Sequence, residues 1–291
     1  MKTAIVTGAS GFIGAHLISE LLANSVKITA VCRKDSFNNS RIPQEADIVY
    51  SFDDLPKADV FYHLAWESAS GHGRQDPFTQ TDNARLTLNA CEVAHKLEAK
   101  FIALGTVYER FADRVKESQK FSSSDFYVLA KDFTHSISSQ HAYKLGLDYI
   151  WCQICHPIGH YIKSDQLMAY TISNLIEGTS PSFGKAQTLF DIVAVEDVVK
   201  GLYLLGHHNA SRREYYIGSG SPMALCDYLE KAKDILNSNT PLMMGQRPDD
   251  GLTFEKSWFS IKPIYDDVGY APTVSFEKAV HNVAKWVVEQ K

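Results

Sequence analysis

Apolar residues in this chain fall into short dense runs, separated by longer stretches in which they recur every three or four positions. The runs Thr3–Val6, Lys27–Cys32, Ile48–Ser51, Val60–Leu64, Phe101–Leu104 and Tyr149–Ile154, then Ile192–Val195 and Tyr215–Ile217, have the length and side chains of buried strands. Between them Phe12–Leu22, Pro77–Leu97, Tyr127–Leu145, Asp165–Glu177 and Val195–Leu205 read as helices, with two more near Met223–Leu236 and Ser275–Glu289. Such alternation predicts an α/β fold built on a doubly wound parallel sheet. The stretch Asp35–Ala46, rich in Asn and Ser, is too short and polar for a crossover helix, so that part of the fold is expected to be trimmed.

After Ile154 the alternation loosens, and glycine and proline punctuate His156–Gly159, Gly178–Gly184 and Gly218–Pro222. This predicts a nucleotide-binding domain over residues 1–155, with returning segments at about 187–217. A smaller lobe would hold residues 156–186 and 218–291. No repeat or low-complexity tract interrupts the pattern.

The first strand runs into TGASGFIG, Thr7–Gly14, which opens the first helix. A glycine-rich turn in that setting suits a pyrophosphate. Gly8 permits a tight turn with positive φ, Gly11 lets the backbone approach the phosphates, and Gly14 lets helix and strand pack closely. The N–H groups and positive dipole end of that helix, which begins Phe12–Ile13–Gly14, favour an anion.

Composition narrows the class. The chain has 291 residues, 45% hydrophobic and 22% charged, as expected of a globular protein with one substantial core or a core plus a lobe. A net charge of −5 lacks the basic excess of a nucleic-acid binder, and no segment has the apolar length of a membrane span. The N-terminus enters a strand without the pattern of a signal peptide, which sets the expectation of a cytoplasmic protein. Five cysteines, Cys32, Cys91, Cys152, Cys155 and Cys226, suggest no disulfide framework. Cys152 and Cys155 lie at odd spacing in a strand, so their thiols should point to opposite faces. No cluster has metal-ligand spacing, and no metal is expected.

One YxxxK occurs, Tyr127–Lys131 in YVLAK. On a helix these two share a face, which brings an ammonium near a phenol. The cation favours the phenolate and moves the tyrosine toward working pH as a general acid or base at a carbinol or carbonyl oxygen. A solvent-facing Tyr and Lys would satisfy the same spacing.

Chain order supplies the context. The glycine turn is followed by HLAW (His63–Trp66), a strand ending at Gly105–Thr106, YVLAK, HPIGHY (His156–Tyr161), FDIVAVEDVVKGL (Phe190–Leu202), YYIGSG (Tyr215–Gly220) and GQRPDD (Gly245–Asp250). In these ordered landmarks the sequence resembles the extended short-chain dehydrogenase/reductases, specifically their nucleotide-sugar epimerase, dehydratase and 4-ketoreductase group. The resemblance covers nearly the whole chain and is weakest after about residue 250.

It implies a Rossmann-type NAD(P)-binding domain with a substrate lobe. Tyr127 would exchange a proton with the substrate oxygen, Lys131 would bind the nicotinamide ribose, and Thr106 would hydrogen-bond the same substrate oxygen. Aligning from the strand assigns Thr106, whereas aligning from Tyr108 assigns Leu104, which has no side-chain donor or acceptor; the chemistry selects Thr106. A plain N-cap or turn threonine is the alternative. Gly8, Gly11, Phe12, Ile13, Gly14, Leu64 and Ala65 would line the cofactor, with His63 packed beneath it. His72 lies in a glycine-flanked loop that could reach the sugar. His156 stands where the family has a sugar-contacting Asn, and Arg247 of GQRPDD would hold the substrate diphosphate. Gln153, Phe190 and His160 depart from the family pattern and leave the sugar open.

The second strand ends in VCRK, so Arg33 and Lys34 precede any acidic residue at the position that meets the adenosine ribose. Guanidinium chemistry suits a 2′-phosphate, which selects NADPH over NAD. The expected function is NADPH-dependent reduction of a nucleotide-activated 4-keto-6-deoxyhexose. The alternatives are an NAD-dependent nucleotide-sugar 4-epimerase and, further off, a dinucleotide-sensing protein without turnover. A dehydratase is disfavoured, because Val107 and Tyr108 follow Thr106 where such enzymes resemble one another in an Asp-Glu pair. The resemblance also implies a homodimer paired through Pro77–Leu97 and Tyr127–Leu145.

Overall fold

The computed structural model describes residues 1–118, 120–248 and 251–290. In chain order the elements are β1 (Thr3–Thr7), α1 (Phe12–Ala23), β2 (Lys27–Val31), β3 (Asp47–Val49), β4 (Val60–His63), α2 (Pro77–Lys96), β5 (Lys100–Thr106), α3 (Ala112–Glu117), α4 (Asp125–Leu145) and β6 (Tyr149–Ile154). Then come β7 (His156–Ile158), α5 (Leu167–Glu177), β8 (Leu189–Phe190), β9 (Ile192–Ala194), α6 (Val195–His207), β10 (Glu214–Tyr216), β11 (Met223–Ala224), α7 (Leu225–Ile235), α8 (Lys262–Val268) and α9 (Phe276–Glu289).

Seven strands form the main sheet in the order β10-β6-β5-β4-β1-β2-β3, with every pairing parallel. Strands of such a sheet are covered on both faces, which is why β6 (YIWCQI) is buried at all six positions and reads as a continuous run. One face carries α1 against α6, and the other carries α2 against α4. From β1 the chain winds outward through β2 and β3, then returns to lay β4 on the other side of β1. This reversal opens a crevice at the C-terminal ends of β1 and β4, where ligands of open α/β sheets bind. Thr7 and His63 are partners in register at that edge.

Sequence features set the helix ends. Asp76 caps α2, accepting from the N–H groups of Phe78 and Thr79, and Pro77 supplies a preset φ at the first turn. Gly146, in the left-handed region at φ 67°, ends α4. The polar Asp35–Ala46 stretch forms only a 3-10 turn, Phe37–Arg41, capped by Ser36.

Two expectations need correction. Ile192–Val195 does not join the main sheet: β9 pairs with β7 in a separate parallel pair, and β7 is the segment read as a turn. Pro157 lacks an N–H, so that segment suits a short two-stranded edge and not a central strand. The helix placed at Met223–Leu236 begins as β11, antiparallel to β8, before α7 starts at Leu225. Two short helices, α3 and α8, carried no periodic signal long enough to read. Cys152 and Cys155 are both free and buried, in separate hydrophobic clusters, as their opposed facing requires.

Candidate active site

The glycine turn is built as its residues dictate. Gly8 has φ 67°, and a Cβ there would lie 2.8 Å from the Ala65 nitrogen and the Leu64 carbonyl carbon. The loop after β4 therefore presses directly on the turn, which side-chain-bearing residues would prevent. A Cβ on Gly14 would meet the Gly8 oxygen at 2.2 Å, so α1 sits against the turn only because position 14 is bare. Gly11 caps α1 without a side-chain bond, and no acidic residue occupies the first turn beside Phe12 and Ile13. A free helix N-terminus over a cradle that a Cβ would fill fits a dinucleotide pyrophosphate.

His63 lies under this cradle and is buried. Its Nδ1 is 2.9 Å from Thr7 Oγ1 and its Nε2 is 3.1 Å from Thr87 Oγ1. Burial, with the charge of Lys131, lowers its pKa to about 3, so it is a neutral packing residue.

Tyr127 and Lys131 share the inward face of α4, 6% and 4% exposed, which removes the solvent-facing alternative. Lys131 Nζ donates to the Leu104 carbonyl at 2.8 Å and stands 3.5 Å from the centre of the Trp66 ring. Burial pulls its pKa down to about 7; Glu109 resists that shift and Arg74 adds to it. For the Tyr127 phenol, burial raises the pKa, while the Arg74 charge and side-chain hydrogen bonding from Thr106 and Arg74 oppose the rise. Trp66 meets the Tyr127 ring edge-on at 6.1 Å.

Thr106 ends β5 and is buried. It caps the 3-10 turn Val107–Phe111, its hydroxyl accepting from the Tyr108 N–H at 3.3 Å, and its side chain is among the groups that oppose the rise in the Tyr127 pKa. Leu104 contributes its carbonyl to Lys131 instead. The capping box is completed by Glu109, whose Oε2 accepts from the Thr106 N–H at 3.2 Å. The same buried carboxylate accepts from Trp151 Nε1 at 3.0 Å and Gln153 Nε2 at 2.5 Å, and His135 Nδ1 lies 2.9 Å away. Gln153 in turn accepts from Arg110.

Sequence reasoning missed Arg74 and Glu109. Arg74 belongs to the 3-10 turn His72–Gln75, and its guanidinium carbon lies 4.2 Å from the centre of the Tyr127 ring. No motif marked it, because it sits in an irregular loop. Glu109 could have been read from the T-x-x-E spacing of a capping box. His72, on the same turn as Arg74, is exposed. His156 begins β7; its Nε2 is buried without a partner, and burial with the Arg74 charge lowers its pKa to about 4.

Three other anticipated residues lie elsewhere. Arg33 is exposed just beyond β2 and pairs with Glu67 at 3.2 Å, and Lys34 is exposed beside it. Arg247 donates to Ser182 Oγ at 2.8 Å and to the Tyr170 hydroxyl at 2.9 Å, against the start of α5. The rest of its motif, Asp249 and Asp250, lies outside the described residues. Among the described residues, no three His, Cys, Asp or Glu side chains converge as a metal would require, and no helix is long and apolar enough to cross a membrane.

Residues 4–218 match the NAD dependent epimerase/dehydratase family, and the chain belongs to it. It is accordingly an oxidoreductase-type enzyme of the extended short-chain dehydrogenase/reductase kind. A dTDP-glucose 4,6-dehydratase of Haemophilus influenzae is 25% identical over 332 aligned positions, covering 98% of each chain. In structure the chain resembles the UDP-glucose 4-epimerase of Thermotoga maritima with UDP-glucose (TM-score 0.81, 19% identity, 99% of each chain). It also resembles the UDP-glucuronic acid 4-epimerase of Bacillus cereus in complex with UDP-glucuronic acid and NAD (TM-score 0.77, 16% identity, 99% and 100% of the two chains).

Proposed function

We propose that this enzyme transfers hydride at a carbinol or keto carbon of a nucleotide-linked hexose, with Tyr127 exchanging the proton at the oxygen, and that it works as an NADPH-dependent reductase of a 4-keto-6-deoxyhexose. The observation that carries the reading is the buried convergence of Thr106, Tyr127 and Lys131 beside the glycine cradle. When bound, a dinucleotide would supply or accept the hydride; Gly8, Gly11, Phe12, Ile13, Gly14, Leu64 and Ala65 would hold it, and Lys131 would meet its ribose. Thr106 orients the substrate oxygen, and Tyr127 gives its proton to that oxygen in reduction or removes it in oxidation. His156, with a donor or acceptor to spare, and Arg247 contact the sugar nucleotide in the lobe formed by residues 156–186 and 218–291.

The relatives include a dehydratase, but Glu109 is committed to Thr106, Trp151, Gln153 and His135 and has no free oxygen to move protons at the sugar. A second reading, an NAD-dependent 4-epimerase, is favoured by Glu67. It brings a carboxylate to Arg33 at the adenosine end of the cleft, which suits a ribose hydroxyl better than a phosphate. The cofactor carried by purified protein separates the two. Stoichiometric oxidation of added NADPH with a nucleoside-diphosphate 4-keto sugar supports the reductase. Tightly held NAD⁺ and interconversion of 4-epimeric sugar nucleotides without added cofactor would reverse the choice.

A homodimer is proposed on the faces of α2 and α4 turned from the sheet, where Phe78 and Phe133 are largely exposed and Leu86 and Ile137 partly so. Light scattering that shows a monomer at high concentration would exclude it.

A further inference from the structure

We propose that Arg74 is a further catalytic residue, whose guanidinium lies against the Tyr127 phenol and supplies the fixed positive charge that stabilises its phenolate. This rests on the reading of Tyr127 as the acid–base group.

Arg74 lies over the Tyr127 ring, Lys131 shares the buried face of α4 with it, and the two cations differ in kind. Lys131 is enclosed, its ammonium donating to the Leu104 carbonyl and facing the Trp66 ring, and its charge titrates away close to neutrality. A guanidinium does not deprotonate in this range. Arg74 is also held in place. Its Nε donates to the Ala69 carbonyl at 2.7 Å, and its guanidinium carbon stands 4.2 Å from the centre of the Tyr127 ring.

The loop that carries it is pinned to α2. Buried Gln80 donates to the carbonyls of Ser68 and Gly73 and accepts from Trp66 Nε1, while buried Asn83 bridges the backbone of Glu67. A charge set in position before reaction stabilises a developing anion without reorganisation. Among the described residues, no carboxylate lies within ion-pair distance of Arg74 to neutralise it.

The other charged or titratable groups around the phenol leave this role to Arg74. Glu109, from the 3-10 turn after β5, opposes the phenolate, and its oxygens are engaged by His135, Trp151 and Gln153. His156, on β7, is neutral and adds no second cation. The Tyr108 ring also lies 5.8 Å from the Arg74 guanidinium carbon. In the reductive direction the Tyr127 O–H bond breaks and an O–H bond forms at the substrate oxygen as its carbon gains hydride. The electron pair stays on Tyr127 as a phenolate beside the guanidinium. Oxidation reverses each change.

The test is the ionisation of Tyr127 in the full-length chain, read as tyrosinate absorbance by pH-jump stopped flow, with Tyr127→Phe subtracted in each background. It needs no substrate. Arg74→Gln should displace the midpoint to higher pH by about one unit or more, the effect of losing an opposite charge at this range. Arg74→Lys should fall between. With a substrate in hand, the Tyr127-controlled limb of kcat/KM should move the same way in either reaction direction.

An unmoved midpoint in folded Arg74→Gln overturns the proposal. If Arg74→Gln does not fold, Arg74→Met takes its place: a midpoint displaced upward by about one unit or more supports the role, and an unmoved midpoint overturns it. A displaced midpoint in a chain that turns over no nucleotide sugar would defeat the proposed function and leave the Arg74–Tyr127 coupling standing.

Discussion

Gly14→Ala sets two elementary effects against each other. Helix propensity alone favours alanine in α1 by about 1 kcal/mol. Packing opposes it, because the new Cβ would lie 2.2 Å from the Gly8 oxygen, 2.9 Å from the Gly8 carbonyl carbon and 3.0 Å from the Ala9 Cα. Ordinary contact begins at 3.4 Å, so the helix start would have to withdraw by roughly 1.2 Å. All three obstructing atoms are backbone and cannot swing aside. Overpacking of this kind costs about 1–3 kcal/mol, and an immovable obstacle belongs in the upper part of that range. The net expectation is a loss of about 1–2 kcal/mol in urea unfolding without cofactor. The withdrawn helix also takes its N–H groups from the phosphates, so the dinucleotide Kd, followed by fluorescence quenching, should rise about tenfold or more. A variant that gained about 1 kcal/mol and bound cofactor like the parent would refute the close-packing argument.

Tyr127→Phe should lower kcat by about 10²–10⁴ with little change in cofactor affinity, and near-parental turnover would remove Tyr127 from the chemistry. For Lys131, burial lowers the folded-state pKa to about 7, so the folded chain holds fewer protons than the unfolded chain between that pH and the ordinary lysine range. The penalty is therefore complete below pH 7 and fades as pH rises; Lys131→Met should stabilise the fold by on the order of a few kcal/mol in acid and by nothing above about pH 11, and a gain independent of pH would contradict it. Glu109→Gln puts an amide among donors that require an anion and should cost about 3 kcal/mol in urea unfolding, whereas a loss under about 0.5 kcal/mol would mean the network is dispensable. Arg33→Ala should weaken NADPH binding by about 1.5–3 kcal/mol and leave NADH nearly unaffected, and equal losses for both would indicate a structural effect.

The elements that the sequence disclosed are those with strong local causes. Tyr149–Ile154 could be read to the residue because a strand buried on both faces is a continuous apolar run between polar neighbours. The YVLAK pair was legible because four-residue spacing on a helix fixes a shared face, and burial of both residues then follows from the sheet beneath. What escaped depends on contacts distant in sequence. β9 could not be assigned its partner, since Ile192–Ala194 has the same texture whichever strand it joins. Arg74 was invisible because its place over Tyr127 is set by Gln80 and Asn83 holding an irregular loop. Arg33 was legible as a basic residue after β2 but not as the partner of Glu67, thirty-four positions away.

The trimmed crossover between β2 and β3 separates two properties that a longer connection would have entangled. The residues proposed to meet the adenosine half of the cofactor are carried on Cys32–Arg41, a surface loop with one 3-10 turn that begins at the fully exposed Phe37. The proposed acid–base residues are carried on β5 and α4, on the far side of β1 and β4. Apart from buried Cys32 and from Arg41, whose guanidinium carbon stands 4.7 Å from the centre of the Tyr161 ring, the loop is exposed or half-buried, and such loops tolerate replacement. The stretch is thus a natural cassette: exchanging it should retune the choice of dinucleotide while the sugar chemistry stays intact, and the two traits can diverge independently in descendants of this chain.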